Sequence, residues 1–426
     1  MFRIRLAISV LVIVLAAIVA GNILAQPAWL SGFKYRAIVT LKENIGIERE
    51  SEPVTVTLSV SPGEIKDPLT EVRVVNPEGK EIPFQIHGIK KLDGKIVSFD
   101  VTFLANVPAN SKVVYVIYFV NPTATKPQYS TDLNADFKFK TVDGFTMASG
   151  ILSNKYISLK LSDASGEGNV TIGGETLGVT GWLGGVFFTR PPPKDGWFFT
   201  WGKEFNVTVV KGPIFIDYIV HFVNWQPEVK ETFVHYKLYA GKPLIFITSE
   251  WKFNGKQTLD RIATTCYFKY RDNPSLPSVV YPSNGKLVTD VNTGNDRDVP
   301  DWDGTWVYVY NEKTRLSAGV IMLPGTNDPY GFRTGGGAVT PYLNGTFRSA
   351  TVEFAVFFFK GGDYKEVEKM YKILNNPLEV VGVSIETAPA KPDYTGYYVA
   401  AAVAVIAVTT IVFMYAKYVR KSAKGG

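Results

Sequence analysis

The chain has 426 residues, with 45 Lys and Arg against 39 Asp and Glu, and a formal net charge of +6. All of this excess lies at the two ends, with two arginines in the first five residues and four cations after residue 416. The rest of the chain is formally neutral, so its composition excludes a nucleic-acid-binding protein. The single cysteine, Cys266, cannot form an intramolecular disulfide, so the fold depends on its buried core, for which the chain is long enough.

The first 28 residues have the features of a signal peptide or an N-terminal anchor. Arg3 and Arg5 precede an uncharged run from Leu6 to Ala25, which is the order of the basic and apolar regions in secretory signals. The run is long for a cleaved signal, so an uncleaved anchor stays open. In both cases the residues from about 26 to 393 are predicted to lie outside the cytoplasm.

Residues 32–121 alternate apolar and polar side chains between turns, as in PVTVTLSVSPGE and SKVVYVIYFVNP. Short strands separated by Pro and Gly turns predict an antiparallel β-sandwich. The succession FKYRAIVTL, VRVVNPEGKEIPFQI and VPANSKVVYVIYFVNP resembles a small β-sandwich domain of prokaryotic surface proteins and polysaccharide-active enzymes. The polar, Pro-bearing stretch 122–145 is predicted to be an interdomain linker.

Residues 146–378 are predicted to form a second, larger antiparallel β-domain. Its centre is a meander of three strands, GPIFIDYIVHFVNW, KETFVHYKLYAG and LIFITSEWKF, joined by short turns. Together with ILSNKYISLKLSD and WDGTWVYVYNEKTRLSAGVIMLP, this order resembles the galactose-mutarotase-like super-sandwich. The resemblance implies a fold that aldose epimerases share with the β-domains of polysaccharide lyases and glycoside hydrolases. The two histidines and the carboxylate of the epimerases have no residue-by-residue match here.

The larger domain is predicted to close with one short amphipathic helix, in which Asp363 and Glu366 have capping-box spacing. Residues 379–395 are predicted to be an extended stalk. The uncharged run 396–416 is long enough to cross a bilayer as a helix, and the basic residues 417–426 then form a cytoplasmic tail. The predicted fold class is therefore all-β, with two antiparallel sandwich domains, one short helix and a single transmembrane helix.

Titratable and apolar side chains alternate along the three meander strands. One face carries Asp217, His221, Glu231, His235, Lys237, Thr248, Glu250 and Lys252. The opposite face is apolar and is expected to pack inward. The polar face has two interpretations: a solvated surface of cross-strand ion pairs, or a ligand site.

If the face is a ligand site, its residues fall into two candidate roles. The candidate catalytic residues are His235, Lys237, Glu250 and Arg190, and the candidate carbohydrate-binding residues are Asp217, His221, Glu231, Trp197 and Trp201. Paired carboxylates would suit glycoside hydrolysis, whereas a histidine base beside a cation would suit a lyase acting on uronates. The two tryptophans lie on a Pro-stiffened loop, where they would either stack on sugar rings or cap the core.

Two further patterns concern ions and modification. A short acidic stretch ending in Gly indicates either a Ca²⁺ site or a plain acidic loop. Its carboxylates are Asp296, Asp298, Asp301 and Asp303. Asn169, Asn206 and Asn344 stand in N-x-T sequons, which makes them candidate glycosylation sites of a glycoprotein.

These observations predict a membrane-anchored cell-surface protein that binds or presents carbohydrate at the envelope. Two alternatives stay open: an anchored polysaccharide-degrading enzyme, either a lyase or a glycoside hydrolase, and a structural envelope or accessory subunit without a ligand. The expected partners are the lipid bilayer, an envelope polysaccharide or glycan, and other envelope proteins. Few cysteines with abundant Lys, Glu and aromatic residues suggest a heat-adapted archaeal source.

Overall fold

The computed structural model describes residues 29–389, except 163–164, 173, 193–195, 201, 267, 270–277, 292–296, 312–314, 336–337 and 362. This part of the chain forms mostly antiparallel β-sheet with two short helices. The predicted signal segment, the transmembrane helix 396–416 and the basic tail lie outside the described residues. Within those residues, no helix has the length and apolar character needed to cross a bilayer.

The elements follow one another in three groups along the chain. The first group is β1 (Tyr35–Lys42), β2 (Arg49–Ser59), α1 (Pro68–Glu71), β3 (Val72–Val75), β4 (Glu81–Ile82), β5 (Phe84–Leu92), β6 (Lys95–Val107) and β7 (Lys112–Phe119). The second is β8 (Asn134–Val142), β9 (Phe145–Ser153), β10 (Ile157–Ser162), β11 (Ser165–Ile172), β12 (Glu175–Leu183), β13 (Val186–Thr189), β14 (Trp197–Phe199), β15 (Asn206–Lys211), β16 (Phe215–Gln226), β17 (Val229–Tyr239) and β18 (Leu244–Thr264). The third is β19 (Phe268–Lys269), β20 (Ser278–Ser283), β21 (Lys286–Val291), β22 (Arg297–Val299), β23 (Trp306–Asn311), β24 (Leu316–Met322), β25 (Gly331–Gly335), β26 (Ala338–Lys360), α2 (Lys365–Asn375) and β27 (Glu379–Thr387).

The smaller domain is a sandwich of two antiparallel sheets. One sheet has the order β27-β1-β7-β3-β4 and the other has the order β2-β6-β5. Alternation within β2 shows how the sequence directs packing, because Val54, Val56 and Leu58 are buried while Thr55 and Thr57 are exposed. The buried residues join one core that spans both sheets.

The end of the described chain differs from the predicted stalk. Residues 379–387 form β27, which pairs antiparallel with β1 along its whole length. The Ala388 amide then donates to the Lys34 carbonyl at 2.8 Å, so the two ends of the described chain lie side by side. The β-branched run VVGVSI favours a strand, and β1 offers it an open sheet edge. The predicted linker 122–145 is shorter for a similar reason, since residues 134–142 form β8.

The larger domain packs two sheets face to face. Its six-stranded sheet has the order β19-β12-β11-β10-β9-β8, and its 13-stranded sheet runs β15-β16-β17-β18-β26-β24-β23-β20-β21 with β13, β14, β22 and β25 beside that path. Tyr218, Tyr236 and Trp251 of the meander strands are fully buried between the sheets. Tyr218 also donates to the Ala148 carbonyl of the facing sheet at 2.8 Å. The apolar face of the meander therefore points inward, as its alternation predicts.

The opposite side of the 13-stranded sheet is called the outer face here. Helix α2 covers part of it, with Val367 fully buried in a small cluster that includes Trp306 and Tyr308. The predicted capping box of Asp363 and Glu366 is not formed, because the N-cap is Tyr364 and it has no side-chain cap. Asp363 lies one residue earlier, where its carboxylate accepts from the Lys365 amide at 2.9 Å.

Specific hydrogen bonds join the two domains. The Ile214 and Phe215 amides of the larger domain both donate to Oε1 of Gln85, at 3.2 and 2.9 Å. Gly212 makes room for this contact, because a Cβ there would overlap the Gln85 side chain. Arg49 is buried, pairs with Glu52 at 2.7 Å, and donates to two carbonyls at the end of α2. These contacts place the smaller domain against one end of the outer face.

Candidate functional site

An open cleft on the outer face brings together several of the predicted residues. It has a volume of about 670 Å³ and lies where β16, β17, β18 and β26 pass beneath the chain segments 323–325 and 374–377. Its polar lining consists of Asp217, His235, Lys237, Tyr239, Thr248, Glu250, Thr351 and Glu353. Strand pairing explains this convergence, because Asp217 lies opposite Lys237 and His235 lies opposite Thr248, which lies opposite Glu353.

Asp217 is the most buried charged group of the cleft, with only 9% of its side chain exposed. Its Oδ2 lies 3.2 Å from Nδ1 of His235 and 3.6 Å from Nζ of Lys237. Its Oδ1 is buried and has no hydrogen-bond partner among the described residues. A buried carboxylate oxygen normally has a partner, so this atom offers an acceptor to a ligand that enters the cleft.

Glu353 is a second carboxyl group in the cleft and is not among the residues predicted from the sequence. Burial raises its pKa, and the nearby Glu250 adds to that rise against the opposing effects of Thr248 and Lys237. Thr248 Oγ1 donates to Oε1 of Glu353 at 3.3 Å. Gly325 closes over this group, and a Cβ at that position would overlap Oε2. The alternation Thr351, Glu353, Ala355 in TVEFAVFFF is the sequence signal that points to this residue.

The smaller domain contributes His87 to the neighbourhood of the cleft. The His87 ring meets the Phe215 ring edge-on at 5.2 Å, and the Lys237 ammonium lies 5.1 Å from the same Phe215 ring. Burial lowers the pKa of His87, with Asp100 opposing and Lys237 reinforcing that shift. His87 is not among the predicted site residues, because it belongs to the other domain.

The remaining predicted residues of the meander form ordinary ion pairs outside the cleft. Glu231 lies 3.2 Å from His221 and 2.7 Å from Lys252, and the Lys252 hydrogen bond lowers the Glu231 pKa. The His221 ring stacks on Phe233 at 4.0 Å. Arg190 is elsewhere, paired with Glu228 and over the Phe198 ring. His221, Glu231 and Arg190 therefore do not join His235 in one site.

Trp197 belongs to a separate group of the outer face, which we call the arginine–tryptophan cluster. Its members are Trp197, Arg261, Asp298, Arg333 and Tyr342. The guanidinium of Arg261 lies 5.5 Å from the Trp197 ring and 5.2 Å from the Tyr342 ring, and that of Arg333 lies 5.1 Å from Trp197. Phe187 packs against Trp197 at 5.1 Å. Trp197 is still 47% exposed, but protein groups already occupy its ring, while Trp201 lies outside the described residues.

Two carboxylates of the acidic stretch have protein partners. Asp298 lies in β22 and forms an ion pair with Arg261 at 2.6 Å, and Asp303 accepts from the Gly285 amide at 3.1 Å. Asp301 accepts from the Ser283 hydroxyl through its backbone carbonyl. Asp296 lies outside the described residues. Within the part of the chain that the structure describes, no group of three or more His, Cys, Asp or Glu is arranged to hold a metal. The described part of the stretch thus includes a short strand, and the Ca²⁺ site stays a prediction.

The three sequon asparagines differ in their surroundings. Asn169 is exposed on β11. Asn206 accepts from the Thr146 amide at 2.9 Å, and Nδ2 of Asn344 donates to the Asp260 carbonyl at 2.9 Å. Asn344 is exposed like Asn169, whereas Asn206 is half-buried. Asn169 and Asn344 are accordingly the more accessible candidates, and glycosylation stays a prediction.

Solved structures share the fold of this chain at low sequence identity. An α-mannosidase from Enterococcus faecalis V583 superposes with a TM-score of 0.54 at 11% identity, over 83% of this chain and 46% of the mannosidase. A glycosyl hydrolase family 38 protein from Enterococcus faecalis gives 0.55 at 10% identity, over 83% of this chain and 47% of that one. This chain thus spans just under half the length of either protein.

A galactose 1-epimerase from Lactobacillus acidophilus NCFM also matches, at 11% identity over 55% of this chain and 100% of its own. Its TM-score is 0.32, which is too low to assign a shared fold. No family model and no curated protein matches the chain. The likeness to the two Enterococcus proteins shows the fold alone. The chain shares a β-sandwich architecture with parts of carbohydrate-active proteins, which agrees with the predicted super-sandwich of the larger domain.

Proposed function

We propose that this protein binds glycans in the cleft of its larger domain and is held at the outer surface of a membrane. One observation carries the binding proposal: Asp217 is buried in the cleft wall and keeps Oδ1 without a partner among the described residues. A buried carboxylate is suited to bind a sugar, because it can accept hydrogen bonds from two neighbouring hydroxyl groups of the sugar ring. Lys237 supplies a donor beside it, and Tyr239 and Phe246 supply aromatic surface.

A binding screen tests this function. The full-length protein, purified in a detergent without a sugar head group, would be probed with an array of neutral, amino and acidic oligosaccharides. Wild-type protein should bind at least one class, and Asp217→Asn should lose that binding by about a hundredfold, since hydrogen bonds to a charged group contribute roughly 1.5–3 kcal/mol. Glu231→Gln removes a carboxylate from the same face outside the cleft and should bind like wild type. Equal losses in both variants, or no binding by wild type, would leave a structural envelope component as the better account.

Glycoside hydrolysis is a second candidate, and Glu353 favours it. A carboxyl group whose pKa burial raises is suited to protonate a glycosidic oxygen, while the exposed Glu250 on the neighbouring strand is suited to activate water. In that step water attacks the anomeric carbon, Glu250 takes its proton, and the C–O bond to the leaving sugar breaks as Glu353 protonates that oxygen. A lyase has less support, because His235 and Lys237 both contact Asp217.

Product analysis separates hydrolysis from binding. New reducing ends that disappear in both Glu353→Gln and Glu250→Gln would identify a hydrolase. Saturable binding with intact oligosaccharide after prolonged incubation would identify a binding protein. Unsaturated sugar ends, which absorb in the ultraviolet, would instead identify the protein as a lyase.

The membrane part of the proposal depends on the apolar run 396–416 and the basic tail. The adjacency of Lys34 and Ala388 supports it further, because both apolar segments of the chain would then leave the smaller domain at one place. Full-length protein should stay with the membranes after alkaline carbonate washing, and a chain ending at residue 389 should be released. Release of the full chain would contradict the anchor, and retention of both forms would assign anchoring to the first 28 residues.

A further inference from the structure

The cleft carries more negative than positive side chains. Asp217, Glu250 and Glu353 line it together with a single ammonium group, that of Lys237, and with His235. When all four are ionised, the three carboxylates and the one ammonium group sum to a formal charge of −2. Lys237 lies 3.6 Å from Asp217, so the one cation of the cleft already has a carboxylate beside it.

The other two carboxylates of the cleft have cations nearby but none in ion-pair contact: Lys237 lies near Glu353 and Lys252 lies near Glu250. Glu250 lies opposite Thr351, and Glu353 lies opposite Thr248, which makes the two glutamates diagonal neighbours on adjacent strands. Diagonal side chains on paired strands are within reach of a single ligand group, because their separation is about 7–8 Å. Among the described residues, neither glutamate forms an ion pair, and the only side chain that donates to Glu353 is Thr248.

We infer that the cleft selects glycans by charge, and that it prefers sugars with a free amino group to neutral sugars and neutral sugars to uronates. An ammonium group between Glu250 and Glu353 would gain two charge-assisted contacts, whereas a uronate carboxylate would meet like charge on both sides. Independently, Oδ1 of Asp217 has no hydrogen-bond partner among the described residues, so a ligand that brings hydrogen-bond donors would satisfy it. This inference rests on the proposed glycan binding and adds the substrate class.

The test compares four 1,4-linked tetramers: those of glucosamine, N-acetylglucosamine and glucose, which are β-linked, and that of galacturonic acid, which is α-linked. Titration calorimetry on the full-length protein at about 50 mM salt, at a pH that keeps the glucosamine amines protonated, keeps electrostatic differences measurable. We expect glucosamine tetramer to bind about tenfold more tightly than both its N-acetylated form and glucose tetramer, and galacturonate tetramer to bind most weakly. The glucosamine and glucose tetramers differ only at C2, where an ammonium group replaces a hydroxyl, so a gain over both neutral tetramers assigns the preference to the charge.

Two variants assign the preference to the cleft. Glu250→Gln keeps the shape of an exposed side chain and should reduce the preference for glucosamine over N-acetylglucosamine about fivefold. Glu78→Gln makes the same change in net charge on an exposed turn of the smaller domain and should leave the preference intact. An equal reduction in both variants would overturn the inference, because the preference would then reflect net charge.

The outcomes separate the inference from the function on which it rests. Binding of the glucose or N-acetylglucosamine tetramer with no gain for glucosamine would overturn charge selection and leave glycan binding standing. Tightest binding of galacturonate would have the same effect. Failure of all four tetramers to bind, at concentrations up to about 10 mM, would overturn both.

Discussion

Two groups on the outer face of the larger domain use the same residue types to different ends. The cleft and the arginine–tryptophan cluster each combine carboxylates, cations and aromatic rings. In the cluster, Arg261 binds Asp298 and lies against two rings, while its Nη1 is buried without a hydrogen-bond partner among the described residues. In the cleft, Asp217 Oδ1 is also buried without such a partner, and neither Glu250 nor Glu353 forms an ion pair among the described residues. The cleft differs from the cluster by the open volume of about 670 Å³ beside its unsatisfied oxygen. Neither the residue types nor an unsatisfied atom alone therefore identifies a ligand site.

The largest stability effect should come from Arg261. We expect Arg261→Ala to lower the free energy of unfolding by about 3 kcal/mol. The substitution leaves Asp298 without its ion-pair partner and removes the two ring contacts of a mostly buried guanidinium. Urea unfolding measures the loss. Lys252→Ala breaks a more exposed ion pair on the same face and should leave the urea midpoint close to that of wild type. If Arg261→Ala lost glycan affinity while its stability stayed unchanged, the arginine–tryptophan cluster would be the ligand site in place of the cleft.

Trp197 should show a smaller effect of the same kind. Trp197→Ala is expected to lower the free energy of unfolding by about 1–2 kcal/mol, since it removes cation–π and ring contacts from a half-exposed side chain. Its glycan affinity should equal that of wild type in the calorimetric assay. Should binding fail while the unfolding curve stays unchanged, Trp197 would be the sugar platform that its loop position first predicts.

The pH dependence of stability should reveal Glu353. Its pKa is raised above the ordinary 4.5, chiefly by burial, so the folded state holds this proton more tightly than the unfolded state does. The stabilisation by the protonated form is therefore present at acid pH and is lost as pH rises through the raised pKa. Glu353→Gln does not titrate, so its stability relative to wild type should increase from about pH 4.5 upwards and then level off.

Urea unfolding at several pH values between about 4 and 8 measures this trend. Glu78→Gln, at an exposed turn, serves as the control and should run parallel to wild type. A relative stability of Glu353→Gln that falls with rising pH would contradict the assigned direction.

Calcium should have the smallest effect. Addition of Ca²⁺, or of a chelator, is expected to shift the melting temperature by less than about 1 °C, because Asp298 and Asp303 already have protein partners. A rise of several degrees on addition of Ca²⁺, abolished in Asp301→Asn, would show that the loop binds the ion.

Local patterns predicted much of the fold. Side chains alternate strictly in a strand, so the meander sequences were enough to separate buried Tyr218, Tyr236 and Trp251 from polar Asp217 and His235. The same alternation also placed His221 and Glu231 on the outer face, but it did not indicate where along the strands a cleft would open. That position depends on the segments 323–325 and 374–377, which cross the sheet only in the folded chain.

The sequence by itself determined the all-β class, the inward and outward faces of each strand and the helix α2, because these depend on neighbours a few residues apart. The tertiary structure alone decided which distant strands would meet. It brought Glu353 beside Thr248, placed β27 at the edge of β1, and set His87 of one domain against Phe215 of the other. Such pairings arise from the burial of whole sheets and from contacts between residues far apart in the chain, so no local pattern encodes them.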